Sequence, residues 1–429
     1  MHTSSVHGDS RLSFWLRVRE FAVSASVVES ATARRLAGDW AGACAAAGVE
    51  VDLDLRFAAR RYGDELAGRV RDDLRHLAPD LLRWHLPRSA PDGLLRPGLT
   101  VGLARYGAVQ LVVRTPPAWA GRGQRVSLAL WGGPGDPRYP HPRPSRRFRF
   151  DLHRHLWDAR RSGELRARGG GPERWADEAR ILLRAEGFPD GAGAVAVRLG
   201  ARRRVVVDVG EVGKVGAGGQ EAKELPVLPD AATWTPPDVQ LLRAGLITPD
   251  RLHPLVAESL VPGQAARAAP ERTGPADRPR LVDCRGDRHR IGLVDGVLTA
   301  LDHDPDQLRR EELLFALTGT PIPCLQVIDQ AHRRPENLAD VRARLDHGDA
   351  AGALAVVEEL LGSDALLRAG ALHDELAAAA RRQVAYGLFR AGLTDPGPGH
   401  VYSMWMLLQA RRVGRTSRRR HAYSYSQSR

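Results

Sequence analysis

Residues 281–301 read LVDCRGDRHRIGLVDGVLTAL, and their punctuation decides the fold class. Leu281 to Cys284 and Arg288 to Val294 flank the turn Arg285-Gly286-Asp287, and Asp295-Gly296 separates the second run from Val297 to Leu301. Asp-Gly favours a type I′ turn because both central residues take positive φ. The stretch is therefore expected to form a three-stranded antiparallel meander. Behind it, apolar residues recur at helical spacing near 305–317, 322–332, 336–346, 350–361 and 371–390, so the C-terminal third is mostly helical.

Toward the N-terminus, residues 262–280 are rich in Pro, Gly, Ala and charge and lack an apolar period, as a linker does. Residues 151–261 predict an α+β unit. Helices are expected near 151–168 and 173–186. Val195, Val197 and Leu199 alternate opposite Val205, Val207 and Val209 across Gly200-Ala201-Arg202, which describes a hairpin. A helix near 237–244 closes on Gly245, and Thr248-Pro249-Asp250 opens another toward Leu260. Residues 132–150 carry Pro134, Pro137, Pro140, Pro142 and Pro144 and read as a connector. Residues 1–131 combine helices, including Leu36, Trp40 and Cys44 at helical spacing, with alternation over 99–114 and 125–131. The expected class is α+β, with small antiparallel sheets packed by helices. The expected units are 1–131, 151–261 and 281–393, followed by a basic tail at 394–429.

Composition narrows the setting. Cys44, Cys284 and Cys324 are the only cysteines in 429 residues, which suits a reducing compartment better than a disulfide framework. The first apolar stretch, Leu12 to Val28, is interrupted by Arg17, Arg19 and Glu20 and does not resemble a secretory signal. No apolar run approaches membrane-spanning length. A cytoplasmic location without a membrane partner is the expectation. Only Lys214 and Lys223 are lysine among 63 basic residues, a bias that codon usage explains. The net charge of +12 is concentrated in two arms. Residues 138–168 hold ten arginines, interleaved with Tyr139, Phe148, Phe150 and Trp157; the tail carries Arg418, Arg419 and Arg420 with no acid after Asp395.

The segment Arg35-Leu36-Ala37-Gly38-Asp39-Trp40-Ala41-Gly42-Ala43 is echoed by Arg344-Leu345-Asp346-His347-Gly348-Asp349-Ala350-Ala351-Gly352-Ala353. Both read as a helix, a Gly-Asp corner and a second helix capped by Asp. This pattern resembles the helix–turn–helix of ankyrin- and tetratricopeptide-type repeats, although the ankyrin Thr-Pro-Leu-His stretch is missing. The region from Cys284 to Gly319 resembles proteins of high-GC bacteria that place ankyrin repeats after such a segment. The resemblance implies a partner-binding role and transfers no site residues.

Candidate chemistry is sparse. Asp302-His303-Asp304, with Asp283, Asp287 and His289, suggests a metal or phosphohydrolase site. Asp304-Pro305-Asp306-Gln307 is also a helix opening with Asp304 as N-cap, and that reading takes precedence. Cys284-x4-His289 and Cys324-x7-His332 match no common zinc framework, and His153-x-His155 lacks a third ligand, so no metal, cofactor or catalytic residue is assigned. The glycine-rich loop 210–219 departs from the P-loop and dinucleotide patterns and reads as a hairpin loop. The leading expectation is a non-enzymatic interaction or adaptor protein whose partner is another protein. The second is nucleic-acid binding through the arms at 138–168 and 411–429, with Arg146, Arg147, Arg149, Arg418, Arg419 and Arg420 as contacts. The third is a metal-dependent hydrolase centred on His289, Asp302 and His303.

Overall fold

A computed structural model describes residues 4–120, 122–123, 125–133, 143–168, 171–188, 191–200, 203–209, 214–217, 224–263, 280–284, 286–294, 297–319, 322–333, 338–361, 366–367 and 369–391. The tail with Arg418, Arg419 and Arg420, most of the 262–280 linker, residues 134–142 of the connector, and the glycine loop apart from 214–217 lie outside them. The protein is α+β. It comprises two units, Met1–Glu375 and Leu376–Arg429. In the second unit, Tyr386 and Phe389 stack with ring centroids 6.4 Å apart.

The first unit begins with α1 (Ser4–Phe21), α2 (Ala25–Leu36), α3 (Trp40–Ala46), β1 (Val49–Val51), α4 (Leu55–Tyr62), α5 (Asp64–Arg75) and α6 (Pro79–His85). A short pair, β2 (Arg88–Ser89) and β3 (Leu94–Leu95), leads to β4 (Thr100–Tyr106), β5 (Val109–Arg114) and β6 (Val126–Trp131). The sheet order is β1-β6-β5-β4, antiparallel throughout except that β1 runs parallel to β6. Alternation in β4 to β6 lays Val101, Leu103, Leu111, Val113, Val126 and Leu128 into one large core. That core also takes Phe148, Phe150, Leu156, Trp157 and Leu165, so the chain on both sides of the proline connector shares it.

Then follow α7 (Leu165–Arg168), α8 (Trp175–Ala185), β7 (Ala194–Arg198), β8 (Arg204–Asp208), β9 (Lys214–Ala217), α9 (Pro237–Arg243) and α10 (Pro254–Leu260). A second core lies between α8 and the hairpin, around Leu182, Leu183, Val195, Val197 and Val207. Leu241, Val256 and Ala257, from α9 and α10, belong to the large core instead. The meander is β10 (Arg280–Cys284), β11 (Asp287–Val294) and β12 (Val297–Ala300), followed by α11 (Pro305–Thr318), α12 (Pro323–Arg333), α13 (Leu338–His347), α14 (Ala350–Leu361) and α15 (Ala371–Arg390).

The echoed corners adopt one geometry. Asp39 accepts from the Gly42 amide at 2.8 Å and from Arg34 at 3.1 Å; Asp349 accepts from the Gly352 amide at 2.9 Å and from Arg344 at 3.2 Å. Gly38 (φ +78°) and Gly348 (φ +82°) occupy the left-handed position that ends the preceding helix. The equivalent arginines are thus Arg34 and Arg344.

Arg83 joins these pieces. It is 2% exposed, and its guanidinium donates to Ala22 O (3.1 Å), Ala47 O (3.0 Å), Gly48 O (3.4 Å) and His347 O. These carbonyls lie at the C-terminal ends of α1, α3 and α13, where orphan acceptors and the negative end of the helix dipole favour a cation. Burial lowers the Arg83 pKa to about 10, which leaves it charged at neutral pH.

Candidate metal centre

The register of the meander decides which side chains meet. Val282 pairs with His289 and Cys284 with Asp287, and alternate residues of a strand share a face. Cys284 and His289 therefore project from the same side. His303 follows β12, and its position is fixed by its neighbour. Asp302 accepts from the Arg290 amide at 2.7 Å and from the Arg290 guanidinium at 2.7 Å and 3.1 Å. These bonds hold the Asp302 carboxyl down to about 2. Asp304 caps α11 through the Asp306 amide at 2.9 Å, with Pro305 in the first turn. Both acids flanking His303 are thus committed to structure. α12 packs beneath the sheet, with Ile322, Leu325 and Ile328 at helical spacing toward it, and so delivers Cys324 to the same place.

The donor atoms of Cys284, His289, His303 and Cys324 all lie within 4.8 Å of one another. His289 Nδ1 is 2.7 Å from His303 Nε2 and 3.8 Å from Cys324 Sγ. The two imidazoles meet edge to face, with centroids 4.2 Å apart. Both cysteines are fully buried. Burial, and then the neighbouring Cys284 thiol, push the Cys324 thiol up to about 12.

This donor set fits zinc. Tetrahedral Zn–S and Zn–N bonds of roughly 2.3 and 2.0 Å place neighbouring ligand atoms roughly 3.3–3.8 Å apart. The sulfur–imidazole separation already lies in that range, and the imidazole pair opens by roughly half an ångström when an ion replaces its hydrogen bond. Two thiolates and two imidazoles suit zinc and leave no coordination position for water, as in structural sites.

The other residues singled out from sequence lie elsewhere. His153 and His155 are buried in an irregular helical turn, not a strand, with rings 5.8 Å apart. His153 Nδ1 bonds Arg149 O at 2.9 Å, and its Nε2 lies 3.2 Å from Glu178. Arg146 is exposed. Arg147 pairs with Asp230 at 2.6 Å, and Arg149 is buried against Asp151 and Glu186. Arg154 and Arg160 share Asp73 and Asp158. Phe148, Phe150 and Trp157 are core residues whose rings are closed to a ligand. Sequence spacing pairs Cys324 with His332 and so misses its place beside His289 and His303. The available signal was that two of the three cysteines bracket His289 and His303.

Fold and site together define an α+β chain carrying a closed Cys2His2 donor set on a β-meander and the helix beneath it. No family model, curated protein or solved structure matches the chain.

Proposed function

We propose that this protein is a non-enzymatic, cytoplasmic adaptor whose segment 280–333 is a partner-binding module closed by one zinc ion. The observation that carries this reading is the convergence of four zinc-competent donors with no open coordination position. A hydrolase needs such a position for its water, so this reading is favoured over a metal-dependent hydrolase at His289, Asp302 and His303. The small size of the local core supports a metal staple. It comprises Cys284, Ile291, Ala300, Leu308, Ile322, Cys324, Leu325 and Ile328, with two cysteines among its eight buried members. Segments this short usually need a metal or disulfide to hold a fold.

The partner-binding half of the proposal draws on α11, which lies between two of the donors in sequence. It exposes Leu313 (65%), Leu314 (52%) and Leu317 (84%), and large side chains left in water at one place are a usual mark of an interaction surface. The repeat-like corners and the ankyrin-type resemblance point the same way. No helix among the described residues is long and apolar enough to cross a membrane.

Elemental analysis of the purified chain tests the metal. The expected result is one zinc per chain, and replacement by cobalt is expected to give the intense visible bands of a tetrahedral thiolate centre. A metal-free protein, or a cobalt spectrum without thiolate charge transfer, would overturn the reading.

A further inference from the structure

Cys284 and Cys324 are far apart in sequence, yet the fold brings their side chains together. Cys284 ends β10 and Cys324 lies in the first turn of α12, and their sulfurs are within 4.8 Å of each other. An S–S bond of about 2.05 Å therefore needs a further approach of at most about 2.8 Å, which rotation of two short side chains supplies. The two histidines are held from other directions. His289 lies in the middle strand β11, and His303 stands immediately before Asp304, the N-cap of α11. Of the 14 residues of α11, only Leu308 is buried. Its anchorage therefore runs through the corner at 301–304, where the Leu301 amide bonds Arg290 O at 2.8 Å, Asp302 bonds Arg290 and His303 reaches His289. Cys44, the third cysteine, belongs to the large core instead.

We infer that the metal centre is a redox switch: hydrogen peroxide oxidises Cys284 and Cys324 to a disulfide, with release of the ion, and the corner that carries α11 loses its His303 anchor. The inference rests on the zinc reading above. One thiolate attacks a peroxide oxygen, forming an S–O bond as O–O breaks and hydroxide leaves. The second thiolate attacks that sulfur, forming S–S as S–O breaks and a second hydroxide leaves. Two electrons pass from the sulfurs to peroxide, and two protons from solvent turn the hydroxides into water. The two imidazoles that remain are too few donors to keep a structural zinc. Both thiols are buried, so the oxidant reaches them when the module opens locally, and a core of eight buried members is small enough to open in this way. Cys44 is protected by a far larger core. A disulfide formed in a reducing compartment is transient and suits redox sensing; thiol exchange, with zinc present, restores the closed centre.

The test treats the full, zinc-loaded chain with hydrogen peroxide and follows released zinc with a chromophoric chelator. Zinc content before treatment reports on the metal reading, and the response to peroxide reports on the switch. Zinc release and peroxide consumption are expected in roughly equal amounts. Thiols titrated after denaturation should fall from three to one, a peptide cross-link should join Cys284 to Cys324, and dithiothreitol with zinc should reverse these changes. Cys44→Ala should release zinc as the wild type does. In hydrogen exchange, the oxidised chain is expected to lose protection over α11, yet to keep more protection in β10 and α12 than the reduced chain stripped by a chelator, because the disulfide still ties those two elements together. Retention of zinc under peroxide that oxidises free glutathione, or unchanged exchange over α11, would overturn the switch and leave the zinc reading in place. So would zinc loss accompanied by sulfinic acid, a disulfide to Cys44 or a disulfide between chains. A chain purified without zinc would overturn both.

Discussion

Cys324 is the residue on which the metal reading can be tested most sharply. Its thiol, pushed up to about 12, is protonated at neutral pH and must release that proton to become a ligand. Zinc affinity is therefore expected to rise at least about tenfold per pH unit between pH 6 and 8, measured by competition with a chromophoric chelator. A pH-independent affinity would contradict thiolate ligation. Cys324→Ser is expected to abolish stoichiometric zinc, whereas Asp302→Asn, which weakens only the clamp on Arg290, should retain most of it. A different titration governs His347. Burial, reinforced by Arg88, Arg83 and Arg17, depresses its pKa to about 3, against roughly 6.5 in the unfolded chain. The folded state thus binds fewer protons, so the contribution of His347 is complete above about pH 6.5 and is lost as pH falls below that value, by up to about 1.4 kcal/mol per pH unit. Urea unfolding at pH 7 and pH 5 should show a smaller acid loss in His347→Gln than in the wild type at equal metal content; equal losses would remove His347 from this role.

At the scale of elements, the repeated corner provides an internal comparison. Asp39 and Asp349 make the same cap and the same arginine contact, but their side chains are 47% and 3% exposed. An exposed cap contributes about 1 kcal/mol, while a buried acceptor also leaves its donors unsatisfied when removed. Asp349→Ala is therefore expected to cost about 2 kcal/mol or more and Asp39→Ala about 1 kcal/mol or less, read from denaturant midpoints. The reverse order would show that burial is not what separates them. These corners were legible in the sequence because glycine and aspartate act locally: left-handed φ and side-chain capping need only neighbours within a turn. The meander was legible for the same reason, through Gly286 and the alternation on either side of it. The metal centre was not, because it depends on a register that places Cys284 beside His289 and on the docking of α12, which brings in Cys324 from 35 positions beyond His289. Chelation should separate these levels. Removing zinc is expected to raise amide exchange across 280–333 while leaving β4 to β6 protected; uniform loss of protection would mean that the metal supports the whole first unit.

Within the first unit taken as a whole, charge is used mainly for cohesion. Arginines that look like a basic arm in sequence, Arg149, Arg154, Arg160 and Arg168, are bound to Asp151, Glu186, Asp73, Asp158 and Glu178. Linear charge density could not reveal this, because Asp73 in α5, Glu178 in α8 and Glu186 just past the end of α8 all lie outside the basic segment. Arg83 goes further, since its acceptors are carbonyls at the ends of three helices rather than a carboxylate. It joins α1 and α3, near the start of the chain, to α13, beyond the metal module. Replacing it by methionine fills much of the same space but takes their donor from the Ala22, Ala47 and His347 carbonyls, while Gly48 O keeps the Val126 amide at 3.2 Å. The expected destabilisation is roughly 3 kcal/mol or more, at about 1–3 kcal/mol for each buried carbonyl left without a donor. The Cys284–Cys324 module has its own core, so Arg83→Met should keep one zinc per chain at temperatures where it remains folded. Unfolding followed by tryptophan fluorescence, alongside zinc content, distinguishes the outcomes. A loss below about 1 kcal/mol would mean that water replaces the guanidinium at the three helix ends, and loss of zinc from the folded variant would mean that the metal module depends on the helix junction that Arg83 holds.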